Sequence, residues 1–149
     1  MQKIRGNGRQ KPPEGAIKLN IDADFDGDSG SSSTGVILRD ATGFFLAASC
    51  SDITFAEDAA IADARGSRDG LLPANEMGCN ILHVEADYME VITIMHNSGN
   101  SLGPAAAIYK QCSFLACNFS FIDFNHCSRK ANMTANVLAK NWETSRTIV

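Results

Sequence analysis

The chain has no apolar run near the roughly 20 residues that a bilayer-spanning helix needs, which excludes a helical membrane protein. It has no CxxC pair either. Its five cysteines, at 50, 79, 112, 117 and 127, are odd in number and scattered, which argues against a zinc site or a disulfide framework and for reduced thiols. The opening MQKIRGNGRQKPPEG is polar and basic without an apolar centre, so it does not read as a secretory signal. With no targeting segment, the expected location is cytoplasmic or nuclear. A basic excess is also missing: 13 Lys and Arg stand against 17 Asp and Glu, for a net charge of −4. Phosphate affinity comes mainly from Lys and Arg, so a strong non-specific nucleic-acid binder is excluded. Any nucleic-acid binding must use localised basic groups, or metal ions that offset the acids. No internal repeat is present.

What is present suits one globular domain: 149 residues, 44% hydrophobic and 20% charged. Residues 1–15 form a polar leader, expected to be flexible, and the domain proper spans 16–149. IKLNIDA alternates as a strand, DGDSGSSST reads as a turn or loop, and GVILRD and GFFLAASC are two apolar runs joined by the turn-forming DATG. The first third is therefore a three-stranded antiparallel meander. An Ala-rich helix follows, with Thr54 as its N-cap, Gly78 as its stop and Pro73 expected to kink or split it. NILHVEAD reads as a strand and YMEVITIMHNSG as a helix ending at Asn97–Gly99. Residues 104–116 give another helix, NFSFIDFNH a strand, and NMTANVLAKNWE a last helix that Trp142 packs onto the sheet. The order βββαβααβα predicts an α/β layer with a mixed sheet.

The acids of LNIDADFDGDSG invite a calcium-loop reading. An EF-hand loop beginning at Asp22 would need a bidentate Glu at its twelfth position, where Ser33 stands, and flanking helices that are absent. Asp26 and Asp28 solvate a surface turn. Asp22 differs, because it lies inside a strand pattern between Ile21 and Ala23, where a carboxylate is costly unless paired or metal-bound. Asp87 raises the same problem at the end of ILHVEAD. Functional groups in open α/β sheets gather at strand ends near a change of strand order. Two strand aspartates and a helix acid would make hard oxygen ligands for Mg²⁺ or Mn²⁺. His83 reads as a structural strand histidine, His96 as a helix-end residue favoured by the dipole, and Arg129 and Lys130 as a solvated charged turn. Glu85 shares Asp87's side of the strand and is a candidate supporting acid.

PPEGAIKLNIDADFDGDSGSSSTGVILRDATGFFLAA resembles the opening of the ribonuclease H-like domains (type 1) of plant retrotransposon-derived reverse transcriptases, usually written KLNVDGAF, a small-residue loop, GVVLRD and G-x-FLAA. IADARGSRDGL is similar to AEALALRDGL, EMGCNILHVEADYMEVI to ELGCxxVIVESDSxEVV, and NHCSRKANMTANVLA to RHVPREANRVADxLA. The likeness runs in order over about residues 12–141. It implies a ribonuclease H-like fold: a five-stranded mixed sheet, three antiparallel strands then two parallel, flanked by helices. The family's first-strand aspartate falls on Asp22 and its fourth-strand aspartate on Asp87. Its helix glutamate falls on Asp63, seven residues before Gly70, and its last-helix aspartate on Asn136. The family's mobile-loop histidine, which helps product release, falls on His126.

The resemblance thus implies metal-dependent hydrolysis of the RNA strand of RNA–DNA hybrids by Asp22, Asp63, Asp87, Asn136 and His126. The first three and Asn136 would hold two Mg²⁺ or Mn²⁺ ions roughly 4 Å apart. The fold is expected to read hybrid geometry and 2′-hydroxyls. Two acids depart from the pattern. Asp63 is one carbon shorter than glutamate, and misplacing a catalytic group by about 1 Å costs roughly a hundredfold. Glu57 cannot substitute, since six residues put it on another helix face and about 9 Å away. Asn136 keeps a carbonyl oxygen but loses a charge. Ala23 and Asp24 replace the usual Gly-Ala, and Tyr88 a serine. Activity is expected to be reduced; the alternative is a catalytically inactive module that binds nucleic acid or a protein partner.

Overall fold

The computed structural model describes residues 15–25, 28–29, 31–53, 59–128 and 147–148. Strands β1 (Ile17–Phe25), β2 (Ser32–Arg39) and β3 (Phe45–Ile53) form the antiparallel meander. Asp40 closes the β2–β3 turn: its Oδ1 accepts from the Thr42 and Phe44 backbone N–H groups, both at 2.9 Å, and from the Thr42 hydroxyl. Gly43 supplies the positive φ of 87° that this turn requires.

Helix α1 (Ala59–Glu76) follows, then β4 (Ile81–Ala86), α2 (Met89–His96), α3 (Ala106–Ala116) and β5 (Phe121–His126). β4 and β5 run parallel to β1, so the five expected strands form the expected mixed sheet. A two-residue strand, β6 (Thr147–Ile148), adds to the β3 edge and gives the order β5-β4-β1-β2-β3-β6. No helix among the described residues is long and apolar enough to cross a membrane.

Pro73 does not split α1, which runs unbroken to Glu76. Proline removes the N–H that would bond the carbonyl of Asp69, and packing of Leu71 and Ala74, both at 0% exposure, holds the helix across the gap. Gly78 stops it as expected. Its φ is +73°, its N–H bonds the carbonyl of Asn75, and that of Cys79 bonds Ala74, a Schellman ending. Thr54 and Glu57, the leader up to Glu14, and the last helix with Trp142, Arg129 and Lys130 lie outside the described residues.

The alternation of β1, β4 and β5 gives the sheet two different faces. Leu19, Ile21, Leu82, Val84, Ala86, Ile122 and Phe124 point into one core with α1, α2 and α3. α1 reaches close to β1 because glycines face it. A Cβ at Gly66 would lie 3.2 Å from Ile21 Cγ2, and one at Gly70 2.8 Å from Leu19 Cδ1. As α1 advances from 66 to 70, β1 recedes from 21 to 19, so helix and strand run in opposite directions. The second face is polar instead, and it is where the candidate site lies.

Candidate active site

Cross-strand register builds this second face in rows. Lys18, His83 and Asp123 form one row, and Asn20, Glu85 and Asn125 the next. The last registered pairs are Ile21 with Ala86 and Ala86 with His126. Asp22, Asp87 and Cys127 are the next residues along, so the alternation brings them to the same end of the polar face. The Cys127 N–H bonds the carbonyl of Ala86 at 2.9 Å, which carries the pairing one residue past β5.

This face is buried despite its chemistry. Asp22 is 2% exposed and Asp123 0%, and Lys18, Asn20, His83, Glu85 and Asn125 are buried as well. Such groups must be partnered. His83 Nδ1 lies 2.8 Å from Asp123 Oδ1, Lys18 Nζ 2.9 Å from Glu85 Oε2, and Asn20 Nδ2 donates to Glu85 Oε1 at 3.1 Å. Burial, reinforced by Glu85 and Asp87 and by Asp22 against the opposing pull of Lys18, pushes the Cys127 thiol up to about 12. Glu85 is thus tied to β1 through both oxygens, and His83 to β5 through Asp123. His96, the last residue of α2, has Nε2 2.9 Å from the carbonyl of Phe124.

Asp63 stands on the opposite side of the sheet from the polar face. It lies on α1, which packs on the apolar face. Three residues before Gly66 is about 4.5 Å of helix, which brings Asp63 level with residues 22–23 of β1. It therefore shares the sheet end that carries Asp22 and Asp87. Its neighbourhood includes Tyr109, whose hydroxyl is pushed above its ordinary range by burial first and then by Asp63 and Glu90. His126 ends β5, half-buried, rather than lying in a loop, and its Nε2 sits 3.1 Å from the backbone oxygen of Asp87. Asn136 lies outside the described residues.

The register thus brings Asp22 and Asp87 to the same end of the sheet, one residue past the last pair of β1 with β4; His126 touches the Asp87 backbone, and the helix geometry puts Asp63 level with that end. Among the described residues, no three His, Cys, Asp or Glu side chains converge as a ready metal-ligand set. Lys18, Asn20 and Cys127 join the site without having been singled out in the sequence. Their signal was there: polar residues alternate in β1, β4 and β5 at once, which points to one shared polar face.

A profile of the reverse transcriptase-like family matches residues 20–142. The chain belongs to the reverse transcriptase-like family. No curated protein matches it. Among solved structures, the RNase H1 of the halophilic archaeon Halobacterium salinarum is similar with a TM-score of 0.78 at 19% identity, over 85% of this chain and 96% of that one. The N-terminal RNase H domain of a Mycobacterium tuberculosis protein gives 0.79 at 26%, over 85% and 97%. LC11-RNase H1, isolated from compost and solved in complex with an RNA/DNA hybrid, gives 0.75 at 17%, over 84% and 94%. This reverse transcriptase-like chain thus has an RNase H-like fold, with Asp22 inside β1, just past its pairing with β4, and Asp87 just past the end of β4.

Proposed function

We propose that the domain hydrolyses the RNA strand of RNA–DNA hybrids, at a rate lowered by Asp63 and Asn136. The observation that carries this reading is the register of β1 with β4, which brings the buried Asp22 and the half-buried Asp87 to one end of the sheet, each one residue past the last pair. It occurs in a fold shared with a protein solved on an RNA/DNA hybrid. Hard carboxylate oxygens fit Mg²⁺ or Mn²⁺. Asp22 and Asp87 would hold the ions, with Asp63 and Asn136 as the further ligands; bound ions of this kind activate water and stabilise a leaving oxygen.

The chain's own residues then have defined tasks. Pairing of Asp22 with Gly35 of β2, next to the Ile21–Ala86 pair, holds the Asp22 backbone in the sheet before substrate arrives. Asp63 contributes from α1, one carbon short of a glutamate's reach. His126 assists product release from its place next to the Asp87 backbone.

A second reading, a catalytically inactive module for nucleic acid or a protein partner, draws support from the net charge of −4 and the two replaced acids. Cleavage of an end-labelled hybrid in Mg²⁺ or Mn²⁺ separates the two. Slow cleavage is expected from the parent chain and none from Asp22→Asn. Asp63→Glu combined with Asn136→Asp should be faster than the parent by up to roughly a hundredfold. A parent chain and a restored variant that both leave the hybrid intact would overturn the hydrolytic reading and favour the binding module.

A further inference from the structure

The row beneath the acid pair carries charge that hydrolysis does not use. Glu85 has both carboxylate oxygens engaged by β1, Oε1 by Asn20 and Oε2 by Lys18. Lys18 is 3% exposed and Glu85 6%, so this is a buried ion pair, with Glu85 one same-face step from Asp87 and Lys18 two from Asp22. A buried pair is a poor source of stability, because desolvation of both charges offsets their attraction. Apolar side chains of equal volume would serve the fold as well.

Each member acts differently on the acid pair. Glu85 alone would add a third carboxylate beside two others, with more repulsion and two more oxygens able to bind a cation. Lys18 cancels that charge, and together with Asn20 it occupies both oxygens. We infer that the Lys18–Glu85 pair is a positioning device that sets the local charge around Asp22 and Asp87, and so how tightly this site takes a divalent cation. The inference rests on the metal-dependent reading above. Both contacts of Glu85 run from β4 to β1, so the device also pins together the two strands that present the acids.

The test uses the full chain, Mn²⁺ alone as the probe, and the rise in Tm with Mn²⁺ concentration as the readout. Glu85→Gln keeps the shape but leaves the buried ammonium beside the acids without this carboxylate. Its half-saturating Mn²⁺ concentration should rise roughly tenfold. Lys18→Met removes the ammonium and releases Glu85, so the concentration should fall by a similar factor. Lys18→Met combined with Glu85→Gln should return to within about threefold of the parent, because the two charges leave together. If the pair only holds the fold, both single variants melt earlier and the Mn²⁺ midpoints stay in place, and the inference is overturned. Should Lys18→Met fail to fold, recovery in the double variant relative to Glu85→Gln decides the matter. A parent chain that Mn²⁺ does not stabilise overturns the metal reading and this inference with it. A parent that responds, with unmoved midpoints in the variants, overturns the inference alone.

Discussion

At the scale of single residues, burial leaves a mark on thiols that take no part in chemistry. The Cys112 thiol is pushed up to about 12 by burial, and Cys127 reaches the same range by burial with Glu85 and Asp87. The ordinary thiol value is 9.0. Below that, both thiols are protonated in the folded and the unfolded chain, and they add no pH dependence. Above it, the unfolded chain ionises them while the folded chain does not, so stability is lost as pH rises from 9 toward 12. Tm should therefore hold level from neutral pH to about 9 and then fall. Cys127→Ala should make that alkaline fall shallower, measured by calorimetry across the range. An unchanged slope would mean that Cys127 does not sit in the buried acid neighbourhood. Asp40, on the exposed β2–β3 turn, behaves oppositely: its hydrogen bonds from Thr42 and Phe44 hold its carboxyl below the ordinary value, so its contribution is lost only as acid protonates it.

At the scale of elements, α1 is the piece that decides whether Asp63 meets the strand aspartates. Its approach depends on Gly70, where a Cβ would fall 2.8 and 2.9 Å from two methyl groups of the fully buried Leu19. Gly70→Ala should lift the helix and cost about 1–3 kcal/mol, as overpacking does. For a chain of this size, that lowers Tm by roughly 2–4 °C per kcal/mol. The same variant should cleave hybrid more slowly than its residual folded fraction accounts for, because lifting α1 moves Asp63. Gly66→Ala, with 3.2 Å to Ile21, should be milder. Much of this architecture was legible in the chain. The period of two in IKLNIDA marked Asp22 as a carboxylate inside a strand, and the Gly78 signal ended α1 where the structure ends it. Pro73 was misleading, because the buried packing of Leu71 and Ala74 overrides the local penalty of one missing hydrogen bond. The polar face was half legible. Lys18 and Asn20 look like ordinary solvent-facing partners of Leu19 and Ile21, and no local pattern says that both sheet faces are buried. That fact belongs to tertiary structure, and with it went the bond that ties Glu85 to Lys18.

At the scale of the whole molecule, the sign of the charge limits how a hybrid can be held. With a net charge of −4, the chain has no overall attraction for phosphate. Each phosphate neutralised by a basic side chain steepens the dependence of binding on salt by about 0.9 in the logarithmic slope. A chain with no basic excess should engage few of them. Hybrid affinity measured in EDTA, which also prevents cleavage, should fall only about tenfold between roughly 50 and 200 mM salt, the response of about two contacts. Discrimination must then come from shape and 2′-hydroxyl contacts, which salt hardly touches. The preference for an RNA–DNA hybrid over a DNA duplex of the same sequence should therefore persist as salt is raised, even while both affinities weaken. Fluorescence anisotropy with the two duplexes at several salt concentrations reads both quantities. A slope of six contacts or more would reveal a concentrated basic surface, and a preference that vanishes with salt would show that the chain distinguishes the duplexes by charge rather than by form.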